Sequence, residues 1–78
     1  MKLKNIGTNE TEIDLGLATV LFSYNTPVAA RLDNGALVKT NYKHSQTTTR
    51  HINKWLQGRE AIERDQSYLD NLINYLTS

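Results

Sequence analysis

Cysteine is absent from this 78-residue chain, which excludes a disulfide framework and thiolate zinc ligation and fits a reducing compartment. Long apolar runs are missing too. The longest, Ala18 to Phe22, is interrupted by Thr19 and falls far short of the roughly 20 residues that span a bilayer. MKLKNIGTNE at the start has two lysines but no apolar stretch after them, so no secretory signal is expected. Low-complexity tracts and internal repeats are likewise lacking. The last absence is of one sign of charge: no Asp or Glu lies between Asp33 and Glu60.

That gap divides the chain electrostatically. The formal net charge is only +1, yet Lys39, Lys43, Arg50, Lys54, Arg59 and both histidines fall inside the acid-free stretch. Glu60, Glu63, Asp65 and Asp70 follow, with Arg64 alone to offset them. Such a split suits either an anionic partner or two segments that pack together and neutralise each other.

The length allows one domain, residues 1–78. A domain of this size buries only about 60% of its unfolded surface, so its stability is modest. With 38% hydrophobic and 22% charged residues, the composition is that of an ordinary globular chain, neither disordered nor fibrous.

Asp33-Asn34-Gly35 is a turn sequence between two strand-like stretches, and it predicts a hairpin. A three-residue loop, with Gly35 in the left-handed conformation, sets Leu32 opposite Ala36, Ala30 opposite Val38 and Val28 opposite Thr40. That register gathers the apolar residues on one face, whereas a two-residue loop mixes Lys39 and Asn41 among them. Upstream, the only proline, Pro27, cannot donate a ladder hydrogen bond and belongs at a strand boundary. Asn25-Thr26-Pro27 is read as a turn, with Val20 opposite Leu32, Phe22 opposite Ala30 and Tyr24 opposite Val28. A meander over residues 18–42 results. Leu21 and Leu37 fall on its outer face, implying that the N-terminal segment or another chain covers part of that face.

Residues 1–17 are read as a strand and loop segment: EIDLGL alternates, MKLKNI adds a short strand, and Gly7-Thr8-Asn9 joins them. The helical part occupies residues 45–78. Thr48, Ile52, Trp55 and Leu56 follow helical spacing and Gly58 sits where a C-terminal glycine would, predicting a helix from Thr47 to Gln57. Tyr68, Leu69, Leu72, Ile73 and Leu76 mark a last helix capped by Asp65 or Ser67. Arg59 to Arg64 is read as a separate helical turn or an early extension of that helix. The expected fold class is α+β: an antiparallel three- to four-stranded meander followed by two helices packed on one face.

The start of the first helix is chemically unusual, because the positive end of the helix dipole normally attracts acids and here there are none. Instead Lys43, His44 and Arg50 surround Ser45, Thr47 and Thr48. Cations, hydroxyls and free backbone N–H groups form a candidate site for a phosphate or carboxylate, with Lys54 further along the same face. The alternative is that a hydroxyl merely caps the helix while the cations pair with Glu60, Glu63 or Asp65. His44 and His51 are too far apart in sequence for helical metal spacing, so neither a metal nor a cofactor is expected. His51 is expected to pack beside Trp55 and bond to backbone. Serines without a nucleophile elbow, and no phosphate-cradling glycine loop, argue against an enzyme. Nucleic-acid binding through the same cations, with Tyr42 or Trp55 as a stacking platform, is an alternative. Trp55, however, lies on the apolar stripe.

VLFSYNTPVAARL followed by HSQTTTRHINKWL resembles a family of small proteins and domains found in phage and prophage genomes, over roughly residues 18 to 56. The resemblance implies an accessory protein acting in the cytoplasm of the bacterial host, and it brings no catalytic residue with it. The expected function is non-enzymatic binding of a host or phage macromolecule, such as inhibition of a defence or regulatory system. A small nucleic-acid-binding protein and a homo-oligomeric assembly component, with Leu21, Leu37 or Tyr75 at its interface, are the two alternatives.

Overall fold

The computed structural model describes the backbone of residues 2–77 and the side chains of residues 2–75. Six strands form one sheet in sequence order: β1 (Lys2–Gly7), β2 (Glu10–Asp14), β3 (Ala18–Ser23), β4 (Thr26–Leu32), β5 (Leu37–Thr40) and β6 (Ile62–Arg64). Neighbours are antiparallel up to β5, whereas β6 lies parallel to β5. A parallel pair needs a crossover, and α1 (Gln46–Leu56) supplies it. The last helix, α2 (Gln66–Thr77), follows β6 directly. The α+β class with a meander and two helices is therefore what the chain adopts, and the sheet is wider than the three or four strands expected. Arg59 to Arg64 is the reason: its second half is the strand β6, not a helical turn, and Val38 opposes Ile62 there.

The hairpin at Asp33-Asn34-Gly35 has the expected register. Ala30 opposes Val38, Leu32 N–H donates to Ala36 O at 2.8 Å, and Gly35 has φ 88°, a conformation that glycine adopts without a Cβ penalty. The β3–β4 hairpin differs from expectation. Val20 opposes Ala30 and Ala18 opposes Leu32, a slip of two residues, and the ladder shifts again between Leu21 and Phe22. The turn is Tyr24-Asn25, with Tyr24 at φ 58°. A slip of two keeps each side chain on its face, but the added bulge at Val28 does not. Val28 therefore joins Leu21 and Ala29 rather than Ala30, and Tyr24 is exposed instead of lining the inner face.

The two helices lie on opposite faces of the sheet, not on one. Ile52 and Leu56 of α1 pack with Leu21, Val28 and Ala29, together with Leu37 and Trp55. Leu69 of α2, with Tyr68, Leu72 and Ile73, packs with Val20, Ala30 and Val38. Adjacent residues of β3 and of β4 thus feed different cores, because successive strand side chains point to opposite faces. The cover over Leu21 and Leu37 is chiefly α1, with Ile6 of β1, in the N-terminal segment, and Ala61 packed against the same cluster. Leu76 lies on α2, but its side chain falls outside the described residues.

Both helices are capped by their own sequence. Ser45 is the N-cap of α1, accepting from Thr48 N–H at 3.1 Å, and Gln57 closes it in the left-handed conformation. Asp65 accepts from Tyr68 N–H at 3.1 Å, so Asp65 rather than Ser67 starts α2. Among the described residues, no helix is long and apolar enough to cross a membrane.

Leu69 is fully enclosed and is the most deeply buried contact of α2. Leu69→Ala should cost about 2–5 kcal/mol, a large share of the stability of so small a domain, and lower the urea midpoint accordingly. Asp65→Ala should cost only about 1 kcal/mol through the lost cap.

Candidate functional site

Of the seven residues predicted to form an anion or partner site, Lys43, His44, Ser45 and Arg50 converge on one open depression of about 530 Å³ at the N-terminal end of α1, beside Gln46 and Thr49. No acid lines it. Thr47 and Lys54 lie round the flank of the helix, where they border an adjoining hollow with Arg50. Thr48 is not part of the surface: it is buried, with its hydroxyl turned into the fold.

Capping and anion binding are both available at this helix start. Ser45 Oγ takes the N–H of Thr48, and Ser45 O takes the N–H of Thr49 at 3.1 Å. The N–H groups of Gln46 and Thr47, the first two of the helix, have no carbonyl one turn earlier to bond. The expected alternative, cations neutralised by the acidic tail, is not what forms. Among the described residues the Lys or Arg ion pair is that of Lys54 Nζ with Glu10 at 3.3 Å, and His51 Nε2 lies 3.4 Å from the other oxygen of the same carboxylate. Lys43 and Arg50 pair with no carboxylate among the described residues. His44 is held by Gln66, whose Oε1 accepts from His44 Nε2 at 2.8 Å while its Nε2 donates to Pro27 O at 2.7 Å. The start of α2 thereby fixes one wall of the depression. Tyr42, 62% exposed, stands edge-on to the His44 ring at 4.7 Å between centroids.

Beneath the helix runs a chain of buried polar groups. Ser45 Oγ donates to Thr48 Oγ1 at 3.2 Å, Thr48 and Ser23 hydroxyls are 2.9 Å apart, and Ser23 Oγ lies 2.8 Å from His51 Nδ1. Each hydroxyl carries one proton. With Thr48 accepting from Ser45, the continuous arrangement has Thr48 donating to Ser23 and Ser23 donating to His51 Nδ1. The neutral imidazole then presents Nε2–H toward Glu10, whose other oxygen faces Lys54. Trp55 Nε1 donates to Glu12 Oε1 at 2.8 Å in the neighbouring row. Thus α1 is tied to β2 and β3 by polar groups along the edge of its apolar stripe. His51 bonds to side chains, not to the backbone partner expected of it.

A serine, histidine and glutamate in line resemble a nucleophilic triad in composition. The geometry is that of a clamp: Ser23 is 2% exposed and both its neighbours are protein groups, so a substrate carbonyl reaches it only if α1 lifts. Among the described residues, no three His, Asp or Glu side chains are grouped to hold a metal.

Sequence reasoning placed Glu10 and Ser23 in no site. Their one signal is Gly7. A Cβ on Gly7 would collide with the Glu10 carboxylate, so the glycine that looks like a turn residue makes room for a buried charge.

A family model matches residues 1–71. The chain belongs to DUF8033, a family of unknown function. The DUF8033 match reaches beyond residues 18 to 56 at both ends, taking in Glu10, β1, β6 and the first half of α2, so the N-terminal segment and much of the acidic tail belong to the shared unit. No curated protein and no solved structure matches the chain.

Ser23→Ala removes the hydrogen-bond partner of both His51 and Thr48 in a closed space, and should destabilise by about 1–3 kcal/mol. Gly7→Ala should act on the same network by displacing Glu10. If the clamp is one unit, a cycle of Ser23→Ala and Glu10→Gln in urea will show coupling; additive losses would mean two independent contacts.

Proposed function

We propose that this DUF8033 chain is a small non-enzymatic accessory protein of phage type that acts in the host cytoplasm by binding a macromolecule through the depression at the start of α1. The observation that carries this reading is the convergence of Lys43, His44 and Arg50 on one acid-free surface at the N-terminal end of α1, where the first helix N–H groups have no intrahelical partner. Unpaired cations at the positive end of a helix dipole repel one another and the dipole. An anionic partner relieves that repulsion, and backbone N–H groups add direction to the contact. The resemblance of LFSY-x-TPVA and TTTRHINKWL to phage-borne sequences supports the setting. A protein partner bearing carboxylates, for example a host defence or regulatory factor that the chain inhibits, suits a surface this small.

A second reading, nucleic-acid binding, draws on Tyr42. An exposed aromatic ring held against His44 and next to Lys43 offers a base a stacking surface beside cations that meet phosphate. The homo-oligomeric reading loses two of its three contact residues, because Leu21 is buried and Leu37 half-buried under α1.

Capture from infected and uninfected bacterial lysate, with and without nuclease, separates the readings. A specific protein retained after nuclease, and lost with Lys43→Ala plus Arg50→Ala, is the expected outcome, with affinity reduced roughly 10- to 100-fold by the two lost charged contacts. Retention that disappears on nuclease treatment, with retardation of an oligonucleotide that weakens as salt rises, supports the second reading. Retention untouched by the double substitution would overturn the depression as the binding surface.

A further inference from the structure

Near the C-terminal end of α1 lies a second cleft, of about 300 Å³, between the helix and the part of the sheet that the helix leaves bare. Its walls are Ile6 and the half-buried Trp55, and Lys4, Arg31, Lys54 and Arg59 reach it from β1, β4, α1 and the loop after α1. Glu10 and Glu12 also border it: Glu10 is paired with Lys54, whereas Glu12 accepts from the neutral Trp55 indole and keeps its charge, so the lining holds four Lys and Arg against two carboxylates. Lys4 stands opposite Glu12 across the β1–β2 ladder without closing to an ion pair. Arg31, on the α1 side of β4, forms none either. Arg59 gives its Nε–H to Leu56 O at 2.9 Å, which leaves its two terminal amino groups directed elsewhere. Three cations from three segments of the chain therefore meet at one cleft, and among the described residues no carboxylate is paired to any of them.

We propose that this cleft binds a small polyanion bearing phosphate or carboxylate groups, held by Lys4, Arg31 and Arg59, with Trp55 as its apolar wall. Convergent like charges favour an anion between them, and a guanidinium fork grips a phosphate or carboxylate through paired N–H donors. The indole is fixed by its bond to Glu12, so the wall is set before a ligand arrives. The inference is independent of the macromolecular reading above, since its three cations and those of the depression are different residues.

Trp55 is the only tryptophan, so its fluorescence reports on the cleft directly. Titration with inorganic pyrophosphate and, separately, with citrate should give a saturable change in Trp55 emission, and the probe that saturates identifies phosphate or carboxylate as the ligand chemistry. Arg31→Ala, at an exposed position that should leave folding intact, is expected to weaken binding roughly tenfold, as is Lys4→Ala. Lys43→Ala plus Arg50→Ala should leave the titration unchanged. No saturation by either probe up to about ten millimolar, at which affinity is negligible, would overturn the proposal. So would a titration indifferent to Arg31 and Lys4, or one abolished only by the Lys43 and Arg50 substitutions, which would place the anion in the depression instead.

Discussion

Burial of β3 and β4 on both faces is the constraint on which the rest of the structure depends. Val20 and Leu21 are adjacent and both fully enclosed, as are Ala29 and Ala30. A strand can do this only if each face is covered, and a chain this short has two helices with which to cover them. The parallel return of β6 follows from that need: α1 crosses from β5 to β6 over one face, and the chain then enters α2 on the other. Removing either helix would expose a full apolar surface of the central strands, worth about 1.5–3 kcal/mol per large side chain. Alanine at two adjacent positions of β4 lets both helices come near the sheet.

The helix α1 is held differently from α2. Its apolar stripe is narrow, with Ile52 and Leu56 buried and Trp55 half-buried beside them, and polar contacts add to it: Thr48 and His51 against Ser23 and Glu10, and Trp55 against Glu12. Hydrogen bonds contribute less than apolar burial, but they are directional, and a buried group that loses its partner is costly. The clamp therefore fixes the rotation of α1 about its own axis. That rotation decides where Arg50 and Lys54 emerge, so the buried chain of hydroxyls and the exposed cations are two consequences of one orientation.

Much of this was legible in the residues. The Asp33-Asn34-Gly35 hairpin, the approximate span of α1 and a hydroxyl cap at its start follow from local chemistry, because turn residues, caps and helical spacing act over a few positions; that the cap is Ser45 and not Thr47 or Thr48, and that four of the seven candidate site residues share one depression, the structure adds. The errors have a shared cause in long-range pairing. Period-2 patterning assigns faces but does not distinguish registers two residues apart, so the β3–β4 slip and the bulge at Val28 were hidden. Ile62 to Arg64 is too short for a strand signal and gains its conformation only from β5. Leu21 and Leu37 pointed correctly to a second covered face; which element covered it was a matter of topology. Glu10 and Ser23 look like ordinary polar strand residues until α1 is laid over them.

The positions of the two cationic hollows at opposite ends of α1 are themselves a result of how the helix is tethered. At its start, Ser45 caps the helix and Gln66 holds His44, with Asp70 accepting from the Gln66 amide rather than pairing with a cation. Toward its end, Lys54 pairs with Glu10 and the Trp55 indole binds one oxygen of Glu12, and neither acid closes to an ion pair with Lys4, Arg31 or Arg59. Acids of the N-terminal hairpin are used to hold the helix, while the tail acids form no ion pair with these cations among the described residues, even where Glu63 borders a small hollow beside Lys43 and Thr49. A chain of net charge +1 thus presents two positive surfaces, and it does so through the partners its carboxylates are given, not through an excess of lysine and arginine.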